Sequence, residues 1–451
     1  MLVSNALRRF VSRITANQLA RDTVTMSMGQ VFRLALQACY FIAIARTLGP
    51  KQYGAFVAIA AMVGLATPFA GMGGPGVLVK NVSRDRGLLG TYWGNGILLI
   101  IGSGALFTGV LVGVGPHFFG RGLLIPILCF SVSELILVRM VELASFAWTA
   151  LGRMRETALL NVYISLSRLL CIIALAFIKK NPDVQDWCLA ILLASVVCCL
   201  YSVRCIGPIG GIAFDLKLLR RNLTEGTYFA VGASAATFYN DIDKTMLARM
   251  SDLGSTGLYG AAYRLIDVSM APIKAMTASA YAEFFRRGLQ GPKATSEYAY
   301  KLIKRASLFG VALFIGALVC APVLPLILGK SFSHSVEALR WLAILPLLRC
   351  GHYFLGDAIT GAGFNATRTV IQVGVALLNV GVNFYFIPHW SWRGAAWSSI
   401  LCDAVLAISF ASALAIIKRV QRRPEAATEI AAESRNTSAA FVGRALGSER
   451  S

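Results

Sequence analysis

The chain has too few charged residues to cover a soluble protein of its size. Charged residues make up 14% of its 451 residues, whereas a typical soluble domain is about 25% charged. Hydrophobic residues make up 56%, and several apolar runs exceed the roughly 18 residues that a membrane-spanning helix needs. Lipid must therefore be the solvent of most of this chain.

Motifs of covalent chemistry are also missing. The sequence contains no Walker phosphate loop, no H-E-x-x-H zinc motif, no G-x-S-x-G elbow and no EF-hand. Its ten cysteines form no C-x-x-C pair and lie mostly in apolar runs, which is typical of packing residues rather than disulfides or metal ligands. A membrane glycosyltransferase or polymerase normally needs a large outer loop, and the outer loops are short. We therefore expect no enzyme activity, no cofactor and no metal site.

The hydrophobic runs predict about twelve membrane-spanning helices with both termini on the same side. The predicted spans are residues 22–46, 51–72, 88–114, 123–150, 158–178, 187–203, 228–250, 258–281, 306–328, 338–362, 370–387 and 395–417. The predicted fold class is an all-α membrane protein of two six-helix bundles, related by a pseudo-twofold axis along the membrane normal. The predicted segments are a basic cytoplasmic start (1–21), the first bundle (22–206), a cytoplasmic linker (207–227), the second bundle (228–418) and a disordered cytoplasmic tail (419–451).

The distribution of basic residues predicts the orientation. With the N-terminus in the cytoplasm, about 23 Lys and Arg residues fall on the cytoplasmic side and about 8 on the other. This asymmetry is the positive-inside pattern of a bacterial inner-membrane protein. It also accounts for the net charge of +21 without nucleic-acid binding, because no basic soluble domain is present.

A short internal repeat lies at the corresponding turn of each half. Ala45-Arg46 is followed by Leu-Gly and then Tyr53-Gly54-Ala55, and Ala248-Arg249 is followed by Leu-Gly and then Tyr259-Gly260-Ala261. Two parallel six-helix halves around a central cavity are typical of alternating-access transporters. The alternative is two ordinary outer turns, which favour glycine in any case.

Ionisable residues within the predicted spans favour a shared polar interior, because each costs at least about 2.5 kcal/mol if it faces lipid. Polar stripes at helical spacing support this interpretation. The stripes are Arg33, Gln37 and Tyr40; Asn161, Ser165 and Arg168; Arg264, Asp267, Met270 and Lys274; and Gln372, Asn379 and Asn383. Basic residues outnumber acids in this interior, so we expect an anionic cargo, for which a pyrophosphate is suited to guanidinium groups.

Several of these charges have structural alternatives. Arg139 with Glu142, and Arg264 with Asp267, have the i, i+3 spacing of intrahelical ion pairs. Lys244 lies one turn from a span end, where its side chain can reach the interface. His352 is expected to be a packing residue rather than a proton relay.

Three motifs resemble the polysaccharide-biosynthesis flippases (Wzx-type) of the MOP superfamily, which also contains lipid II flippases and MATE exporters. The first runs from Ile44 to Gly54 as Ile-Ala-Arg-Thr-Leu-Gly-Pro-Lys-Gln-Tyr-Gly. The second combines Asn-Asp-Ile-Asp-Lys at 240–244 with Thr-Gly-Leu-Tyr-Gly-Ala-Ala-Tyr-Arg-Leu at 256–265. The third is Leu-Ile-Leu-Gly-Lys-Ser-Phe at 326–332. The resemblance covers roughly residues 23–418 and implies a MATE-like fold.

The resemblance also implies a task, namely moving polyprenyl-pyrophosphate-linked oligosaccharides across the inner membrane for O-antigen, capsule or exopolysaccharide synthesis. It implies a coupling ion, H⁺ or Na⁺, and polymerase and chain-length proteins as partners. The alternatives are a MATE-like exporter of small molecules and a non-transporting scaffold of an assembly complex. The predicted substrate-binding residues are Arg33, Arg264, Arg349, Arg168 and Lys274, and the predicted ion-coupling acids are Asp241, Asp243, Asp267 and Asp357.

Overall fold

The structure of the protein is a computed structural model that describes residues 18–447. Side chains are described from residue 26 onward, except at 27, 208, 210, 221–222, 224–233, 235–236, 239 and 421–447. Most of the predicted basic segment 1–21 lies outside the described residues. The predicted tail 419–451 remains a prediction. Its backbone is helical to Gly447, and the structure describes side chains as far as Val420.

Residues 18–447 form helices, short turns and no strand. The helices are α1 (Gln18–Ala66), α2 (Gly74–Val82), α3 (Leu89–Phe119), α4 (Leu124–Ser131), α5 (Val138–Ala150), α6 (Met154–Ile178), α7 (Val184–Gly210), α8 (Leu216–Met250), α9 (Leu253–Ser269), α10 (Ala271–Gly288), α11 (Pro292–Cys320), α12 (Leu324–Leu328), α13 (Ser335–Leu342), α14 (Leu345–Gly361) and α15 (Asn365–Gly447). This composition confirms the predicted all-helical fold class.

Among the described residues, eight stretches are long and apolar enough to cross a membrane. Two of them hold two predicted spans each, because α1 bends at Gly49 (φ 67°, ψ 173°) and α15 bends at Ser391 (φ 52°, ψ −132°). The predicted spans 228–250 and 258–281 are helical but not among the eight. Several side chains of the first lie outside the described residues, and the second is divided at Met270 between α9 and α10.

The predicted linker 207–227 is largely helical, since only residues 211–215 separate α7 from α8. The Asp215 carboxylate begins α8 by accepting hydrogen bonds from the backbone N–H groups of Lys217 and Leu218. The side chain of Asn95 on α3 holds this connection through both backbone groups of Asp215, at 3.0 and 3.1 Å. The boundaries of the two predicted bundles remain a prediction.

The chain divides into two compact units. The first unit consists of the chain up to Leu265 together with Ala317–Leu342 and Ala376–Ser399. One of its hydrophobic clusters includes Trp93, Leu143 and Trp148, which are almost fully buried between α3, α5 and neighbouring helices.

The second unit consists of Ile266–Gly316, Ala343–Val375 and the chain from Ile400. In it, α10 and α14 cross with their backbones in contact. A Cβ atom added to Gly288 would lie 1.9 Å from the carbonyl oxygen of Gly361, so only glycine permits this approach.

Candidate substrate cavity

A cavity of about 270 Å³ lies within the first unit and is lined by four arginines, each from a different helix. We call it the arginine cavity. The residues that line it come from α1, α5, α6 and α9: Arg33, Gln37, Tyr40, Val138, Arg139, Val141, Glu142, Asn161, Ile164, Ser165, Arg168 and Arg264. Two of the predicted polar stripes, one on α1 and one on α6, therefore face the same space.

Two of the four arginines carry their own carboxylates. Arg139 pairs with Glu142 on the same helix, which confirms the i, i+3 ion pair considered from the sequence. Arg168 on α6 pairs with Glu134, which lies in a π-helical turn, Val132–Leu137, between α4 and α5. Single π turns within helices often occur at functional sites.

Arg33 lies on the α1 wall of the cavity, and no carboxylate pairs with it among the described residues. Its Nε atom is buried and has no hydrogen-bond partner there. Arg264, from α9, faces the same cavity. Glu134 and Glu142 compensate Arg168 and Arg139, and Arg33 gives the site an excess positive charge.

Neutral polar groups of α6 line part of the wall, beside the apolar side chains of Val138, Val141 and Ile164. Asn161 donates hydrogen bonds to the carbonyl oxygen of Thr157 at 2.9 Å and to the hydroxyl of Ser145 at 3.2 Å. Ser165 donates to the carbonyl oxygen of Asn161 at 3.1 Å. These bonds hold the α6 stripe in place next to Arg168 and leave the cavity floor polar.

The two acids predicted on α8, Asp241 and Asp243, lie beside the same lysine but differ in burial. Asp243 is buried, accepts a hydrogen bond from the Tyr259 hydroxyl at 2.5 Å and lies 3.4 Å from the Lys244 ammonium group. Asp241 lies 3.0 Å from the same ammonium group, but its side chain is 34% exposed. Lys244 is buried against these acids and the Tyr263 ring, so the interpretation that it reaches the interface is wrong.

Arg349 lines neither of the two cavities described in this section, although it was predicted to bind substrate. Its side chain is 2% exposed and donates from Nε to Asp403 at 3.1 Å. His352 lies on the other oxygen of Asp403 at 3.3 Å. Arg349 and Asp403 thus form a buried ion pair within the second unit with His352 packed beside it, in agreement with the expectation that His352 is a packing residue. The role of Arg349 in substrate binding stays a prediction.

Lys274 and Asp357 line a second cavity of about 330 Å³ in the second unit, together with Thr277, Ala278, Tyr281 and Tyr353. We call it the tyrosine cavity. Lys274 pairs with Asp267 at 2.6 Å, and Asp357 pairs with Arg368 at 2.9 Å. The predicted substrate residue Lys274 therefore lies in a different unit from Arg33, Arg168 and Arg264.

Sequence reasoning missed the contribution of Arg139, Glu142 and Glu134 to the arginine cavity. The i, i+3 spacing of Arg139 and Glu142 indicated their pair but not their place in the cavity. Glu134 and Arg168 are 34 residues apart, and no pattern in a single sequence indicates that pair.

Comparisons with known proteins agree with this fold. A family model described as polysaccharide biosynthesis protein matches residues 19–281, more than half of the chain. The chain is 23% identical over 401 residues to the probable low-salt glycan biosynthesis flippase Agl15 of Haloferax volcanii, covering 86% of this chain and 81% of that protein.

Two solved transporters share the fold. The lipid II flippase MurJ, in an inward closed conformation, aligns with a TM-score of 0.71 at 12% identity over 87% of each chain. A multidrug resistance MATE family transporter of the MOP superfamily, in an inward-facing conformation, aligns with a TM-score of 0.70 at 15% identity. That alignment covers 86% of this chain and 99% of the other. The MATE-like fold that the sequence motifs implied is therefore confirmed.

Proposed function

Because the chain belongs to the polysaccharide biosynthesis protein family, we propose that it flips polyprenyl-pyrophosphate-linked oligosaccharides across the membrane for the synthesis of a surface polysaccharide. The observation that carries this proposal is the arginine cavity, where Arg33 and Arg264 face Arg139 and Arg168 from other helices. A pyrophosphate is the part of such a substrate that this cavity suits.

The charges of the cavity match the chemistry of a pyrophosphate. Guanidinium groups donate paired hydrogen bonds that fit phosphate oxygens, and these bonds are stronger when both groups are charged. Arg33 has a buried Nε without a partner among the described residues, so it is the first donor we assign to the substrate. Arg139 and Arg168 already have carboxylate partners, which limits the net charge and allows release of the anion.

The size of the cavity restricts what it holds. Its volume of about 270 Å³ lies just below the range of roughly 300–1,000 Å³ typical of small-molecule sites. We therefore assign it to the pyrophosphate and its immediate surroundings rather than to a whole oligosaccharide. The polyprenyl chain stays in the surrounding lipid.

Net transport against the gradient of the substrate requires an energy source, for which we propose H⁺ or Na⁺ at an acid of α8. Asp241 is the better candidate there, because its carboxylate is partly exposed whereas Asp243 is enclosed by Lys244 and Tyr259. Asp267 is a comparable candidate, since it is 34% exposed and paired with one lysine, as Asp241 is. Asp357 is the weaker candidate, because its side chain is 5% exposed and pairs with Arg368.

The positive-inside pattern supports a place in the cytoplasmic (inner) membrane with both termini in the cytoplasm. A polysaccharide polymerase and a chain-length protein are the partners that the product of such a flippase requires. A MATE-like exporter is the second candidate, because a multidrug transporter shares the fold. An excess of arginines in the cavity supports an anionic cargo over the cationic cargo of such an exporter.

The test is an analysis of lipid-linked intermediates in a strain that lacks the gene. We expect polyprenyl-pyrophosphate oligosaccharide to accumulate on the cytoplasmic leaflet and surface polymer to be lost, with both restored by the wild-type gene. Unchanged intermediates together with normal polymer would contradict flipping. Increased sensitivity to cationic drugs in that strain would then favour the exporter.

A further inference from the structure

The tyrosine cavity differs in charge from the arginine cavity. It is lined by one basic and one acidic residue, Lys274 and Asp357. Each of them has an opposite charge beside it, since Asp267 lies 2.6 Å from Lys274 and Arg368 lies 2.9 Å from Asp357. The charges around this cavity therefore balance, which suits a neutral polar ligand better than an anion.

One polar atom in its wall lacks a partner. The Asp357 side chain is 5% exposed, and its Oδ1 atom accepts a hydrogen bond from Arg368. Its Oδ2 atom is buried without any hydrogen-bond partner among the described residues. A buried acceptor without a donor is unfavourable, and each such group in a native protein calls for an explanation. A ligand hydroxyl in this cavity supplies the missing donor.

Two tyrosines give the same cavity its aromatic surface. Tyr281 on α10 is 42% exposed, and its ring packs edge-on against Phe285 at 5.1 Å. The Tyr353 ring on α14 is held edge-on against His352 at 4.8 Å. Tyrosine combines an apolar ring, which packs against the C–H face of a sugar, with a hydroxyl that exchanges hydrogen bonds with it. Thr277 adds a further hydroxyl to this surface.

The helices on both sides of the cavity are fixed against each other. Beyond it, α10 and α14 touch through Gly288 and Gly361, where a Cβ atom on Gly361 would lie 2.6 Å from the carbonyl oxygen of Phe284. The tyrosines therefore stand on a rigid crossing rather than on a loop. In the predicted orientation, this crossing is at the cytoplasmic ends of both helices, where a substrate made in the cytoplasm enters.

We propose that the tyrosine cavity is a glycan subsite, which binds a neutral sugar of the lipid-linked oligosaccharide through Asp357, Tyr281 and Tyr353. This inference rests on the proposed function and extends it. The arginine cavity recognises the pyrophosphate that all such substrates share, whereas the tyrosine cavity recognises the sugar and sets which oligosaccharide is accepted.

The test is saturation-transfer difference NMR on the full-length protein in lipid nanodiscs. The probe is the free oligosaccharide released by mild acid from the lipid-linked intermediates of the deletion strain, so that no pyrophosphate remains. We expect saturation transfer to the sugar C–H protons with the wild-type protein. Tyr281→Ala, Tyr353→Ala and Asp357→Asn should each weaken binding about tenfold, a change equivalent to about 1.4 kcal/mol.

Two controls separate this site from other effects. Tyr201→Ala removes an exposed tyrosine on α7, outside the cavity, and should leave the signal unchanged. Arg33→Ala should also leave it unchanged while it weakens the binding of inorganic pyrophosphate. Because Asp357→Asn loses its ion pair with Arg368 and is at risk of unfolding, Tyr281→Ala is the decisive variant.

Equal signals from the wild type and from Tyr281→Ala and Tyr353→Ala would overturn the proposal, and so would the absence of any signal from the wild type. Either result leaves flipping intact if the deletion strain still accumulates the lipid-linked oligosaccharide. If the strain accumulates none, the proposed function fails first and the glycan subsite fails with it.

Discussion

Gly54 and Gly257 pack backbone against backbone, so that the two copies of the internal repeat meet. A Cβ atom added to Gly54 would lie 1.7 Å from the carbonyl oxygen of Leu253, and one added to Gly257 would lie 2.0 Å from the carbonyl oxygen of Pro50. Gly54 follows the bend at Gly49, and Gly257 lies near the start of α9. The contact explains the glycines in both turns better than turn geometry alone, because only glycine permits this approach.

Gly54→Ala should destabilise the protein. The added methyl group must displace the Leu253 carbonyl, and overpacking of this kind typically costs about 1–3 kcal/mol. Thermal unfolding in nanodiscs measures the effect as a lower midpoint. The control is Gly109→Ala on α3, where a Cβ atom meets nothing within 4 Å. Equal midpoints for the two variants would show that the contact between Gly54 and Leu253 adjusts to the added methyl group without loss of stability.

Arg33→Ala should slow flipping about 10- to 100-fold, because a hydrogen bond to a charged group contributes about 1.5–3 kcal/mol. The readout is the cytoplasmic pool of lipid-linked oligosaccharide in the complemented deletion strain. Arg33→Lys should give an intermediate pool, since a lysine keeps the charge without the paired geometry. Val31→Ala changes a side chain on the same helix that is 68% exposed, and it should behave as wild type. A normal pool with Arg33→Ala would exclude Arg33 from substrate binding.

Glu134→Gln should lower stability by about 1–3 kcal/mol, less than the roughly 3–5 kcal/mol of a fully buried pair, because both side chains of this pair are partly exposed. The variant leaves the Arg168 guanidinium without its carboxylate. Unfolding midpoints should therefore rise again when Arg168→Gln is added. A double variant less stable than Glu134→Gln would mean that Arg168 has further stabilising partners.

Asp403→Asn should be strongly destabilising, by about 3–5 kcal/mol, because it leaves the buried Arg349 without its carboxylate. Replacing both residues by apolar ones, Arg349→Met with Asp403→Leu, should recover most of the lost stability. If the pair is structural, this double variant also retains flipping. Loss of flipping in a stable double variant would restore the prediction that Arg349 binds substrate.

Much of the fold was predictable because a helix that crosses lipid needs a long apolar run, which is visible in the sequence. Hydropathy located most of the spans, and helical spacing predicted that Arg33 and Arg168 lie on polar faces. The π-helical turn that places Glu134 beside Arg168 was not predictable, since no spacing indicates a change of hydrogen-bond register. The pair of Arg349 with Asp403 was missed for another reason. Its partners are 54 residues apart, and only the packing of α14 against α15 brings them together.

The most direct test of the account is flipping by the purified protein alone. Proteoliposomes with the lipid-linked oligosaccharide in both leaflets are treated with an enzyme that cleaves only the outer pool. The account predicts that wild-type protein exposes the inner pool to cleavage when an ion gradient is applied, and that Arg33→Ala does so far more slowly than Val31→Ala. An inner pool that stays protected with folded wild-type protein, under both proton and sodium gradients, would contradict the account.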